Sequence, residues 1–137
     1  ALSTARRAPG SRVFGVELVE ESVANARENA ERNGISGVEF LAGDVGKRLP
    51  EAVRAVGTPD VAIVDPPRAG LAPDVVRDLL ALAPAQILYV SCNPAALGRD
   101  LALLAAGSYR MEAAQPVDMF PHTLHVETVA SLVRARP

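Results

Sequence analysis

With 137 residues, 49% of them hydrophobic, and a net charge of −2, the chain suits one packed domain and carries no general attraction for a phosphate backbone. Its single cysteine excludes an internal disulfide framework and any multi-cysteine zinc or iron–sulfur site built from this chain alone. No apolar run reaches the roughly 18–20 residues of a membrane span, and Ala1-Leu2-Ser3-Thr4-Ala5-Arg6-Arg7 lacks a signal peptide's apolar centre, so a cytoplasmic location is expected.

Residues 1–8 read as the tail of a helix. Residues 12–17 are predicted to form a short buried strand, followed by a helix over 20–33 with Val23, Ala26 and Ala30 on one side and Asn33-Gly34 closing it. A strand at 38–41 and a helix at 50–56 come next. The strand at 60–64 ends at Asp65-Pro66-Pro67, because proline cannot continue a ladder. The rhythm repeats with a helix at 73–82, a strand at 86–91 and a helix at 94–106. Two last strands, 110–116 and 126–132, flank a proline-bearing loop and give the sheet an antiparallel ending.

Strands spaced by helices imply βαβ units, a mainly parallel sheet and a doubly wound α/β domain. A nucleotide-binding domain of this class normally opens with a strand and a glycine-rich turn, whereas residues 1–11 contain only Gly10. Residues 1–137 are therefore expected to be one partial domain of a longer protein, without its first strand and glycine loop.

Several residues stand where such a sheet presents chemistry. Glu17, at the end of the first strand and just before a helix, can accept hydrogen bonds from both ribose hydroxyls of a nucleoside cofactor; a surface carboxylate favoured by the helix dipole fits equally well. Asp44 occupies the corresponding end of the next strand, where an ordinary turn residue also fits. Asp65 precedes two prolines that fix the backbone, as a preorganised site requires; the alternative is a rigid structural turn. Cys92 ends the apolar run 86–90 and is a candidate nucleophile; the alternative is a small buried residue at a strand end. Glu127 is a candidate base. His122 and His125 fall short of the three or four convergent ligands of a metal site, so no metal is expected and loop hydrogen bonding and orientation of Glu127 are their expected roles.

Three segments together resemble the RNA uracil-5-methyltransferase family, which makes 5-methyluridine in tRNA or rRNA from S-adenosylmethionine. They are Asp65-Pro66-Pro67-Arg68-Ala69-Gly70, Tyr89-Val90-Ser91-Cys92-Asn93-Pro94, and Asp118-Met119-Phe120-Pro121-His122-Thr123-Leu124-His125-Val126-Glu127. The resemblance spans residues 13–133 and implies a Rossmann-like S-adenosylmethionine-dependent methyltransferase fold, of which this chain would be the C-terminal part. It implies Cys92 as nucleophile, Glu127 as proton-abstracting base, and Glu17, Asp44 and Asp65 as cofactor-binding residues, with Asp44 near adenine. Both reacting residues are needed. Uracil C5 is a poor nucleophile until a thiolate adds at C6, and the adduct collapses only after a base removes the C5 proton. Given the net charge, most phosphate contacts to the RNA are expected from protein outside these residues.

One departure is Ala96, where the family commonly has threonine. Two rival readings remain. An amino-group methyltransferase would use Asp65-Pro66-Pro67 and leave Cys92 dispensable, although Arg68 stands where those enzymes have an aromatic residue; a noncatalytic RNA-binding or partner-binding domain would have kept only the fold. The missing strand would lie between 13–17 and 60–64, so the isolated chain is expected to self-associate, exchange strands or bind cofactor weakly.

Overall fold

A computed structural model describes residues 1–135. The chain divides into two compact units, Ala1–Gly57 and Thr58–Pro137. No helix among the described residues is long and apolar enough to cross a membrane.

The first unit contains α1 (Leu2–Arg7), β1 (Val13–Glu17), α2 (Glu20–Arg32), β2 (Val38–Ala42) and α3 (Val45–Val56). β1 and β2 pair in parallel from Val13↔Val38 to Glu17↔Ala42. Helix α2 buries Val23 and Ala30 and carries Glu20 and Glu21 in its first turn, where the backbone dipole favours acids. Its end follows the Asn33-Gly34 signal. Gly34, at φ +61°, lets its N–H bond to Glu31 O at 3.0 Å and that of Ile35 to Ala30 O at 2.9 Å, the paired pattern of a Schellman motif.

Helix α3 begins at Val45, five residues before the predicted start at Pro50. The Asp44 carboxylate accepts the Lys47 N–H at 3.2 Å, and this cap starts the helix early enough to leave Pro50 inside it at the cost of one backbone bond.

The second unit contains β3 (Val61–Val64), α4 (Pro73–Leu82), β4 (Gln86–Ser91), α5 (Pro94–Ala106), β5 (Tyr109–Val117) and β6 (Glu127–Arg134). Its sheet has the order β3-β4-β6-β5, with β3–β4 parallel and the pairs β4–β6 and β5–β6 antiparallel. The last strand thus lies inside the sheet. The reason is burial: β6 sinks Ala130 and Leu132 into the core, whereas β5 buries only Tyr109 and suits an edge. Alternation along β4 directs Ile87, Tyr89 and Ser91 inward, where the first two meet Leu79, Leu97, Leu104 and Leu132. Each fully buried aliphatic side chain contributes about 1.5–3 kcal/mol. Tyr109 is also buried, which raises its pKa, and its hydroxyl donates to Pro84 O at 2.6 Å. Among the described residues β1 has only β2 as a strand neighbour, and β3 only β4.

Candidate active site

In the first unit, the C-terminal ends of β1 and β2 bring Glu17 and Asp44 to the same end of a parallel pair. Gly43 N–H donates to Glu17 O at 2.8 Å, which ties the two strand ends together. Both carboxylates are exposed, and each has a local bond: Glu17 Oε1 accepts Val19 N–H at 2.9 Å, and Asp44 caps α3. Exposed carboxylates at the carboxyl ends of parallel strands have the chemistry to receive ribose hydroxyls or an adenine amino group.

In the second unit, strand register decides the geometry. Asp65 follows β3 directly, one residue beyond the pair Val64↔Tyr89, and is exposed. Cys92 follows β4, one residue beyond the antiparallel pair Ser91↔Thr128. Glu127 comes immediately before Thr128. The β4–β6 ladder ends at that pair, so Cys92 and Glu127 each stand one residue beyond it, at the same end of the two strands. Both are partly buried.

The turn that carries Cys92 is fixed on both sides. Ser91 Oγ accepts Asn93 N–H at 3.1 Å and donates to Asn93 O at 3.0 Å. The Asn93 side chain caps α5, its Oδ1 accepting from Ala95 N–H at 3.1 Å and Ala96 N–H at 3.5 Å, while its Nδ2 donates to Arg68 O at 2.9 Å. Pro94 occupies the first helical position, where its missing N–H costs nothing. Ala96 is buried and its N–H reaches the cap without a side-chain hydroxyl.

The loop before Glu127 adds an exposed rim. Arg68 Nη1 lies 3.5 Å from His125 Nδ1, and the Phe120 ring meets His125 edge-on with centroids 6.3 Å apart. His125 N–H donates to Thr123 Oγ1 at 3.1 Å, so the loop is braced internally. Met119, Phe120 and Leu124 are exposed.

Asp100 is the feature that motif reading missed. It is fully buried on α5, on one stripe with Ala96, Leu97 and Leu104, and an acid on an otherwise apolar helical stripe was the available signal. Its Oδ2 accepts Tyr89 Oη–H at 2.6 Å and Leu71 N–H at 2.7 Å; its Oδ1 accepts Arg99 Nε–H at 2.8 Å and Nη2–H at 2.6 Å. Burial, and then donation to Asp100, push the Tyr89 phenol well above its usual pKa. Gly70 is required beside this carboxylate. At φ +83°, a Cβ there would lie 2.5 Å from Asp100 Oδ2 and 3.2 Å from Ala96 Cβ. Gly70→Ala is therefore expected to destabilise the fold by about 2–4 kcal/mol, from left-handed strain and overpacking together, as read from denaturant unfolding.

A family model described as tRNA (Uracil-5-)-methyltransferase matches residues 2–135. The chain is 52% identical over 125 residues to an uncharacterized RNA methyltransferase of Porphyromonas gingivalis, covering 90% of this chain and 27% of that protein. It is 45% identical over 124 residues to one from Caldanaerobacter subterraneus subsp. tengcongensis, again with 90% and 27% covered. Among solved structures, the Pyrococcus abyssi tRNA (uracil-54, C5)-methyltransferase in complex with S-adenosyl-L-homocysteine matches with a TM-score of 0.81 at 40% identity, over 96% of this chain and 31% of that one. The fold is accordingly the Rossmann-like α/β fold of S-adenosylmethionine-dependent methyltransferases. The chain spans about 27% of the length of these curated relatives.

Proposed function

The chain belongs to the tRNA (uracil-5-)-methyltransferase family, and from that membership we propose that it supplies the nucleophile and the base of an enzyme that methylates uridine C5 in cytoplasmic tRNA or rRNA. The observation that supports this reading is the Ser91↔Thr128 pair, which leaves Cys92 and Glu127 each one residue beyond the same end of the β4–β6 ladder.

The Cys92 thiolate attacks C6 of an unstacked uracil and forms an S–C6 bond, as the C5=C6 electron pair moves toward O4. The resulting enolate makes C5 nucleophilic. S-adenosylmethionine, when bound, would supply the electrophilic methyl group for that carbon, its S–CH3 bond breaking as C5–CH3 forms and S-adenosylhomocysteine leaving. Glu127 then removes the C5 proton, the pair reforms C5=C6, and the S–C6 bond breaks to release the Cys92 thiolate. The electron count closes without an external oxidant or reductant.

Glu17 and Asp44, exposed at the strand ends of the first unit, are the residues we assign to the ribose and adenine of the cofactor. Asp65, in the second unit, is assigned to the cofactor or the cofactor–uracil junction. A target base must leave its stack to be reached at C6, which favours a loop or flipped uridine. Among the described residues β1 and β3 each have a single strand neighbour, which supports self-association of the chain through strand pairing.

Digestion of RNA treated with the intact protein and S-adenosylmethionine is expected to yield 5-methyluridine by nucleoside mass spectrometry; methylated amino groups in its place would overturn the reading. The exposed Phe120 offers a stacking platform for a base beside the target. Phe120→Ala is expected to raise the KM for RNA by about fivefold with kcat within about twofold of wild type, since one lost base–aromatic contact is worth about 1 kcal/mol or more.

A further inference from the structure

Asp100 is a buried carboxylate with no part in the proton and methyl transfers above, yet it accepts hydrogen bonds from Leu71, in the segment that follows Asp65 and Arg68, from Tyr89 on β4, which leads to Cys92, and from the neighbouring Arg99. Its Oδ2 holds Leu71 N–H at 2.7 Å, and its Oδ1 holds the Arg99 guanidinium. Arg99 Nη2 in turn donates to Ala69 O at 2.9 Å. Asn93, the residue after Cys92, donates from Nδ2 to Arg68 O at 2.9 Å. Within the segment, Gly70 N–H closes a turn onto Pro67 O at 2.8 Å. Peptide groups at 68, 69 and 71 are thus held by side chains from the first two turns of α5 and its cap.

We propose that Asn93, Arg99 and Asp100 form a clamp that sets segment 65–71 against the Cys92 turn, which makes Asn93 and Asp100 positioning residues for methyl transfer. The inference rests on the function proposed above and names residues that act through Asp65, Arg68 and Cys92 rather than on the uracil. A buried carboxylate is strongly destabilised unless its lone pairs are satisfied, so its demand for donors fixes Leu71 and Arg99 together. Asn93 joins two tasks. Its oxygen starts α5 and its nitrogen holds Arg68, so the helix start and the loop cannot move independently. Displacements of about 1 Å at a reacting centre can lower rates by about 100-fold, which is the sense in which such a clamp matters.

Asn93→Asp separates the two tasks in the intact protein. The carboxylate still caps Ala95 and Ala96 but opposes the Arg68 carbonyl instead of donating to it. The expected result is a kcat at least about tenfold lower, with the KM for S-adenosylmethionine within about twofold and an unchanged thermal midpoint. Amide hydrogen exchange at Gly70 and Leu71 is expected to speed up by about tenfold, because loosening of the loop raises its opening rate. Asn93→Ser, which also keeps a capping oxygen but lacks the amide donor, is expected to behave the same way. Wild-type kcat in both variants, or a loss of rate matched by a fall in thermal midpoint, would overturn the clamp. The exchange measurement does not depend on the reaction: faster exchange in a protein that methylates no uridine would leave the clamp standing and defeat the functional reading alone, and unchanged exchange would defeat the clamp.

Discussion

In the intact protein, Cys92→Ala is expected to lower RNA methylation on the order of 10⁴-fold or more and to abolish the covalent complex with RNA carrying 5-fluorouridine at its target. Fluorine at C5 cannot leave as a proton. The wild-type thiolate should therefore add to C6, the methyl group should transfer, and elimination should stall, leaving a stable protein–RNA species for mass spectrometry. Cys92 is only partly buried and lies just past a strand end, so removing its sulfur should cost the fold little. An adduct of undiminished yield in Cys92→Ala would remove the nucleophile from this position.

Glu127→Gln should separate the two halves of the reaction. The carboxamide keeps the size and hydrogen-bonding reach of the carboxylate at the start of β6, opposite Val117, so the ladder is retained. It cannot take up the C5 proton. Addition and methyl transfer are expected to proceed on ordinary uridine, while product release slows and a trapped complex accumulates to near stoichiometry with enzyme. Multiple turnovers at the wild-type rate would exclude Glu127 as the base.

The local structure of this chain is legible in its sequence. Strand β4 alternates inward and outward residues, and Asn93-Pro94 is a cap followed by the proline position of a helix, so the boundaries of β4 and α5 are legible. Asn33-Gly34 likewise ends α2 as a Schellman motif requires. Pro50 misled in the other direction. Proline is common at a helix start, but the Asp44 cap had already nucleated α3, and a cap is visible only when its bond is seen.

Nonlocal pairing was harder to read. That β6 inserts between β4 and β5 follows from which strand buries more, and that insertion brings Cys92 and Glu127 to the same end of the β4–β6 ladder. From residues alone, the two were linked only by family resemblance. Glu17 and Asp44 were read for their position at strand ends, and the backbone bonds each also makes give them a second, structural task. Asp100 went unnoticed because an acid in a helix reads as a surface residue until its neighbours at 96, 97 and 104 are weighed as one buried stripe.

In the proposed reaction the methyl group goes to uridine C5 in exchange for its hydrogen. RNA transcribed with 5-tritiated uridine and incubated with the intact protein and S-adenosylmethionine tests this directly. One tritium is expected to be released to water for each methyl group incorporated, with release lost in Cys92→Ala and delayed in Glu127→Gln. Methyl incorporation without tritium release would mean that the group had gone to another atom, and would contradict this reaction.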